Sequence, residues 1–128
     1  MRIEHVALWT RDLERLRSFY ERYFGARSGA LYRSATHRGF ASYFLEFPER
    51  GSRLELMTLP NVGDPPNAAS RGYAHIAVAA GSREAVDALT ARMTADGIPL
   101  VSAPRQTGDG YYEAVVEDPD GNLVEITA

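Results

Sequence analysis

Two βαβββ modules in tandem are predicted by the 128 residues of this chain, an α+β fold in which one curved eight-stranded mixed sheet forms a cup with its helices outside. Three observations point there. The order of apolar runs in the first half recurs in the second half, each half holds one segment of helical apolar spacing among strand-like runs, and PNVGDPPNAASRG separates the halves as a linker. The reading is one domain over 1–128, with module one at 1–59, the linker at 60–72 and module two at 73–128.

In module one, IEHVALWT (Ile3 to Thr10) is an apolar run with strand character. The next segment places Leu13, Leu16, Phe19, Tyr20, Tyr23 and Phe24 at helical spacing, with Asp12 as N-cap and Gly25 as C-cap. The helix charges Glu14, Arg15, Arg17, Glu21 and Arg22 read as a solvated face. Three strand-like runs follow at Arg27 to Ser34, Gly39 to Phe47 and Ser52 to Leu59, with turns at His37–Gly39 and Pro48–Gly51.

Module two repeats that order. YAHIAVAA (Tyr73 to Ala80) is a strand, and Ser82 caps a helix through Asp96 that carries Ala85, Val86, Leu89 and Met93 and ends at Gly97. Pro99 to Thr107, Tyr111 to Glu117 and Asn122 to Thr127 supply three strands, the last two joined by the turn DPDG. A strand followed by a helix returns to a parallel strand, whereas tight turns impose antiparallel pairing, so each module is expected to be a mixed four-stranded sheet covered by its helix on one face. Neither half closes a core alone, and the concavity formed by joining them is where chemistry is expected.

Composition excludes several classes. Hydrophobic residues make up 45% and charged residues 24%, and the net charge of −3 comes without a basic stripe, so nucleic acid is not an expected partner. No apolar run approaches the length of a membrane span or signal peptide, which makes a cytoplasmic location the expectation. With no cysteine, any metal must be held by imidazole and carboxylate.

The repeat carries one such set. His5 and His75, in the first strand of each module, lie 70 residues apart, and so do Glu55 and Glu125 in the last strands. Val6 and Leu8 alternate with His5, Ile76 and Val78 with His75, Leu54 and Leu56 flank Glu55, and Val124 and Ile126 flank Glu125. Strand alternation therefore turns all four polar residues away from the aliphatic, helix-packing side. Two imidazoles and two carboxylates suit Zn²⁺, Ni²⁺, Fe²⁺ or Mn²⁺ and leave up to two octahedral positions for water or substrate oxygens, the mark of a catalytic site.

The paired modules, the two motifs HVA at His5 and HIA at His75, and the ending EDPDGNLVEI resemble the vicinal oxygen chelate superfamily, which contains glyoxalase I, fosfomycin-resistance proteins, extradiol dioxygenases, methylmalonyl-CoA epimerase and bleomycin-binding proteins. The resemblance covers essentially the whole chain and marks Glu125 as the C-terminal ligand. Bacterial glyoxalase I is similar in its ligand order, matching His5, Glu55, His75 and Glu125. The implied activity is that of a metal-dependent lyase or isomerase. A substrate chelated through two neighbouring oxygens loses a proton to Glu125 or Glu55, passes through an enediolate and regains the proton on the adjacent carbon. A small-molecule substrate and a homodimer, with modules paired within or between chains, are implied as partners.

Glutathione-using relatives have an Arg and an Asn four residues after the first and second ligands; here those positions are Trp9 and Leu59, so other thiol adducts and non-thiol substrates stay open. The epimerase, dioxygenase and drug-binding members stand as alternatives. Trp9, Arg53 and Met57 share the expected cavity face as candidate substrate-binding residues, with Phe40, Tyr43, Phe44 and Phe47 divided between core and wall. His37 reads as a turn residue, and the Gly-rich turn before Tyr111 and Tyr112 as a candidate flap.

Overall fold

In the computed structural model, residues 3–49, 51–64, 71–108 and 110–128 are described. The elements run β1 (His5–Trp9), α1 (Leu13–Phe24), β2 (Arg27–Ser28), β3 (Tyr32–Arg33), β4 (Ala41–Glu46), β5 (Arg53–Thr58), β6 (His75–Ala79), α2 (Arg83–Ala95), β7 (Leu100–Gln106), β8 (Tyr112–Glu117) and β9 (Leu123–Thr127). They form two compact units, Met1–Pro65 and Pro66–Ala128, each with one mixed sheet and one helix. No helix among the described residues is long and apolar enough to cross a membrane.

The first unit has one strand more than expected. Arg27 to Ser34 divides into β2 and β3, both antiparallel to β4. Arg27 faces Glu46 and Ser28 faces Leu45, but Tyr32 faces Ser42, so one extra residue is taken up between them. Such an offset is what a bulge produces, and it breaks the ladder at Gly29–Leu31.

Pairing order also differs from expectation. The parallel partner of β1 is the last strand of its unit, β5, and that of β6 is β9; the sheets run β1-β5-β4-β2 and β6-β9-β8-β7. The strand after each helix lies at the far edge instead. The last strand, returned by its tight antiparallel turn, fills the slot beside the first.

Both helices begin and end as the residues dictate. Asp12 Oδ1 accepts from the Arg15 amide at 3.0 Å, and Ser82 Oγ accepts from the Ala85 amide at 3.2 Å. Gly25 closes α1 in the left-handed conformation at φ 65°. Leu16, Phe19 and Tyr20 of α1 bury against Leu45, Leu54 and Leu56, and Val86 and Met93 of α2 share a core with Ala114, Val116, Val124 and Ile126. These buried faces fix the opposite face of each sheet as the one without a helix.

The charges on α1 are not simply a solvated face. Tyr43, from the helix side of β4, donates to Glu14 Oε1 at 2.7 Å, and Arg17 reaches Glu14 at 2.6 Å while its guanidinium lies 5.2 Å from the Tyr43 ring centre. Glu21 Oε1 accepts from Ser28 Oγ at 2.6 Å. The second unit builds the same motif from other positions: Tyr112 donates to Asp87 Oδ1 at 2.7 Å, with Arg83 5.0 Å from its ring centre. Tyr112 is thereby pinned to α2 on the side away from His75 and is no part of a flap. The loop before it is closed by Thr107 N–H to Tyr111 O at 2.8 Å and Gly110 N–H to Thr107 O at 3.1 Å.

The predicted linker begins as ordered chain. Arg11 Nε donates to Val62 O at 2.9 Å and its guanidinium pairs with Asp64 at 2.9 Å; residues 65–70 lie outside the described residues. Gly39 turns at φ +82°, where an added Cβ would stand 2.6 Å from the Pro60 ring.

Two outcomes are expected. Gly39→Ala combines left-handed strain with that ring contact and lowers stability by about 1–3 kcal/mol, whereas Gly63→Ala, with no neighbour within 4 Å, changes it little; urea unfolding separates them. The second concerns pH. The hydrogen bond from Tyr43, then that from Arg17, holds Glu14 below the usual carboxylate range, and the same Glu14 contact raises the Tyr43 phenol above its usual range. The depressed carboxylate contributes stability above its ordinary range that is lost as pH falls through the lowered value. The raised phenol contributes below its ordinary value and loses that as pH rises through the raised one. Tyr43→Phe therefore lowers the thermal midpoint at pH 7, and its deficit shrinks both below about pH 4 and above about pH 10. A constant deficit at all pH values would contradict the assignment.

Candidate metal centre

The strand pairing brings the predicted ligands of the first unit together. β1 and β5 run parallel with His5 opposite Arg53, Ala7 opposite Glu55 and Trp9 opposite Met57. Burial alternates along both strands, so His5, Ala7, Trp9, Arg53, Glu55 and Met57 occupy the face turned away from α1. On that face His5 Nε2 lies 3.8 Å from Glu55 Oε2. The Glu55 side chain is 17% exposed, and Phe44 stands opposite it on β4.

The His5 ring is held on two further sides. Its centre lies 5.3 Å from that of Phe44 in an edge-to-face arrangement, and its Nδ1 is 2.5 Å from Glu4 Oε2. Glu4 also forms an ion pair with Arg53, whose guanidinium stacks 4.4 Å from the Phe44 ring centre. The hydrogen bond from His5, aided by that from Arg53, holds the Glu4 carboxyl below its usual range.

In the second unit, β6 and β9 repeat the register with Ala77 opposite Glu125. His75 Nε2 stands 3.5 Å from Glu125 Oε2, with the Glu125 side chain 18% exposed. Alanine beside glutamate recurs in both units and leaves room over the carboxylate that a larger side chain would fill. Leu123 takes the place of Arg53, and Ala74 that of Glu4.

These distances and donor types bear on whether a metal fits. Separations of 3.5 and 3.8 Å are too long for a hydrogen bond, and the same two atom types face each other in both pairs. Two donors on one ion, each with a bond of ~2.1 Å, stand about 3.0–3.4 Å apart at angles of about 90–110°. Each pair meets that spacing by closing a few tenths of an ångström. Borderline imidazole nitrogen with carboxylate oxygen is a donor set for Zn²⁺, Ni²⁺, Fe²⁺ or Mn²⁺. Among the described residues no group of three or more His, Asp or Glu side chains is arranged to hold a metal ion, and the structure presents two His–Glu pairs, one per unit.

The remaining candidates sort by position. Trp9 is 48% exposed, and its ring centre lies 6.2 Å from Phe40, which in turn lies 6.2 Å from Tyr32, so an aromatic strip extends from the Trp9 end of the same face. Arg53 is engaged by Glu4 and Phe44. Tyr43 belongs to the helix side and Phe44 to the open side. His37 accepts the Phe40 amide through its backbone carbonyl in an exposed turn. Glu4 is the site neighbour that sequence reasoning missed: alternation assigns residue 4 to the face opposite His5, but β1 begins at His5, and the preceding residue is free to bend toward the ring.

Comparison with known proteins bears on the family and the fold. A family model described as the Glyoxalase/Bleomycin resistance protein/Dioxygenase superfamily matches residues 2–126. An uncharacterized protein from Pseudomonas aeruginosa, PA2024, is 35% identical over 127 residues, covering 98% of this chain and 86% of the relative. Among solved structures, a glyoxylase/bleomycin resistance protein/dioxygenase domain from Frankia sp. EAN1pec superposes with a TM-score of 0.85 at 18% identity, covering 99% of this chain and 96% of that one. The trypanothione-dependent glyoxalase I of Leishmania major gives a TM-score of 0.77 at 24% identity, covering 99% and 86%.

Proposed function

As this chain belongs to the Glyoxalase/Bleomycin resistance protein/Dioxygenase superfamily, we propose that it is a metal-dependent, glyoxalase I-like lyase or isomerase that moves a proton between neighbouring carbons of a small molecule chelated through two adjacent oxygens. The observation that carries this reading is the repeated pair: the same imidazole nitrogen faces the same carboxylate oxygen across the same Ala-opposite-Glu register in both units. His5, Glu55, His75 and Glu125 are the proposed ligands of one divalent ion, Ni²⁺, Zn²⁺, Fe²⁺ or Mn²⁺, and a second copy of the chain is the proposed protein partner. When bound, such an ion supplies Lewis-acid stabilisation of negative charge on the substrate oxygens.

The chain's own groups do the remaining work. His5 and His75, acceptor-only at Nε2 when Nδ1 carries the proton, hold position without exchanging protons with the substrate. Glu55 or Glu125 takes the proton from the carbon beside the carbonyl and returns it to the neighbouring carbon, a role suited to a carboxylate on a half-buried strand. Four protein ligands, rather than three, favour proton transfer over oxygen chemistry, which needs an additional open position.

The aromatic strip favours a substrate other than a simple glutathione adduct. Trp9 and Leu59 stand where Arg and Asn would hold a γ-glutamyl carboxylate, and Trp9 with Phe40 and Tyr32 offers an apolar wall instead. The relevant substrates are hemithioacetals of other thiols, or α-hydroxy ketones with an apolar arm.

Metal analysis followed by assay with the methylglyoxal–glutathione hemithioacetal and with an aryl α-hydroxy ketone tests the reading. Turnover of either substrate that is abolished by chelator, restored by Ni²⁺ or Zn²⁺, and reduced roughly 10²–10⁴-fold in both Glu55→Gln and Glu125→Gln is expected. Small-molecule binding that survives chelation, with neither substitution mattering, would make the protein a binding module instead.

A further inference from the structure

Glu4 sits beside His5 in sequence, and its carboxylate meets the ring at Nδ1. A carboxylate oxygen is an acceptor, so the 2.5 Å contact with His5 Nδ1 places the hydrogen on that nitrogen. In the neutral imidazole Nε2 is then the lone-pair acceptor, and it is the nitrogen 3.8 Å from Glu55 Oε2. The other carboxylate oxygen is taken by Arg53, and Arg53 is itself steadied over the Phe44 ring that His5 also touches. His5, Glu4, Arg53 and Phe44 thus form a closed ring of contacts around one imidazole. The second unit has no counterpart, with Ala74 and Leu123 at the corresponding positions.

We propose that Glu4 is a positioning residue, anchored by Arg53, that fixes His5 in the Nδ1–H tautomer and presents Nε2 for coordination, so that the two imidazoles are unequal: His5 preset, His75 adjustable. This rests on the reading of His5 as a metal ligand. A carboxylate behind a ligating imidazole orients the ring before the ion arrives, and losing such a partner typically weakens metal binding ~10–100-fold. It also gives Arg53 a structural duty on the same face as the pair.

The test uses the full-length, ¹⁵N-labelled, metal-free protein at pH 8, with ring-nitrogen shifts read for His5 and His75, followed by titration with Zn²⁺ alone. Glu4→Leu removes the acceptor, whereas Glu4→Gln removes the charge and keeps an oxygen that accepts from Nδ1–H. The expected result is a fixed Nδ1–H tautomer at His5 in the wild type and in Glu4→Gln, mixed tautomers in Glu4→Leu, and His75 unmoved throughout. Zn²⁺ affinity falls 10–100-fold in Glu4→Leu and much less in Glu4→Gln. An Nε2–H tautomer in the wild type, a His5 ring unmoved in Glu4→Leu, or equal loss of affinity in both variants overturns the positioning role. No Zn²⁺ uptake by the wild-type protein, with the tautomer fixed as described, overturns the metal reading instead.

Discussion

Everything about the candidate centre depends on the parallel ladder between the first and last strands of each unit. Ala7 opposite Glu55 and Ala77 opposite Glu125 are single register positions, and a slip of one residue would turn each glutamate into the helix-packed core. Burial pins that register. Leu54 and Leu56 alternate with Glu55, and Val124 and Ile126 with Glu125, all four buried, so a slip would exchange fully buried aliphatics for a carboxylate. The hydrophobic face of the sheet thereby places the polar chemistry of the opposite face, and alanine in the neighbouring strand leaves that chemistry room.

Much of this was legible in the residues. Capping by Asp12, Gly25 and Ser82 and the apolar periodicities are local signals, and local signals set where helices and strands begin and end. The 70-residue recurrence of His and Glu identified the pairs because side-chain direction on a strand has a period of two. What stayed hidden is non-local. Which strand lies beside β1 is decided by helix crossover and turn geometry together, and nothing in IEHVALWT names β5 as its partner. The break between β2 and β3 arises from a one-residue mismatch with β4 that becomes visible only when both strands are paired.

Glu4 escapes sequence reasoning, and the α1 charges read as simply solvated, for related reasons. Alternation governs residues inside a strand, and Glu4 lies one step before it. Glu14 and Arg17 look solvated on a helical projection, yet Tyr43 arrives from the sheet to engage them, and a tyrosine from β8 does the same to Asp87 and Arg83. In both units a phenol and an arginine tie the helix to the sheet, which stiffens the scaffold from behind while the opposite face carries the His–Glu pair. The two faces differ in a further respect: the supporting motif is reproduced from other positions, whereas the pair is reproduced at matching register positions with the same residue types and atoms.

The proposed function assigns His5, Glu55, His75 and Glu125 to one ion. X-ray absorption at the metal edge of the Zn²⁺- or Ni²⁺-loaded protein, with the metal titrated to its equivalence point, tests it most directly because outer-shell scattering counts imidazoles. Two imidazoles per metal, completed by oxygen ligands at ~2.0–2.2 Å and one ion per pair of units, is the predicted result. One imidazole per metal with two ions per chain, or a shell of oxygen alone, would contradict it.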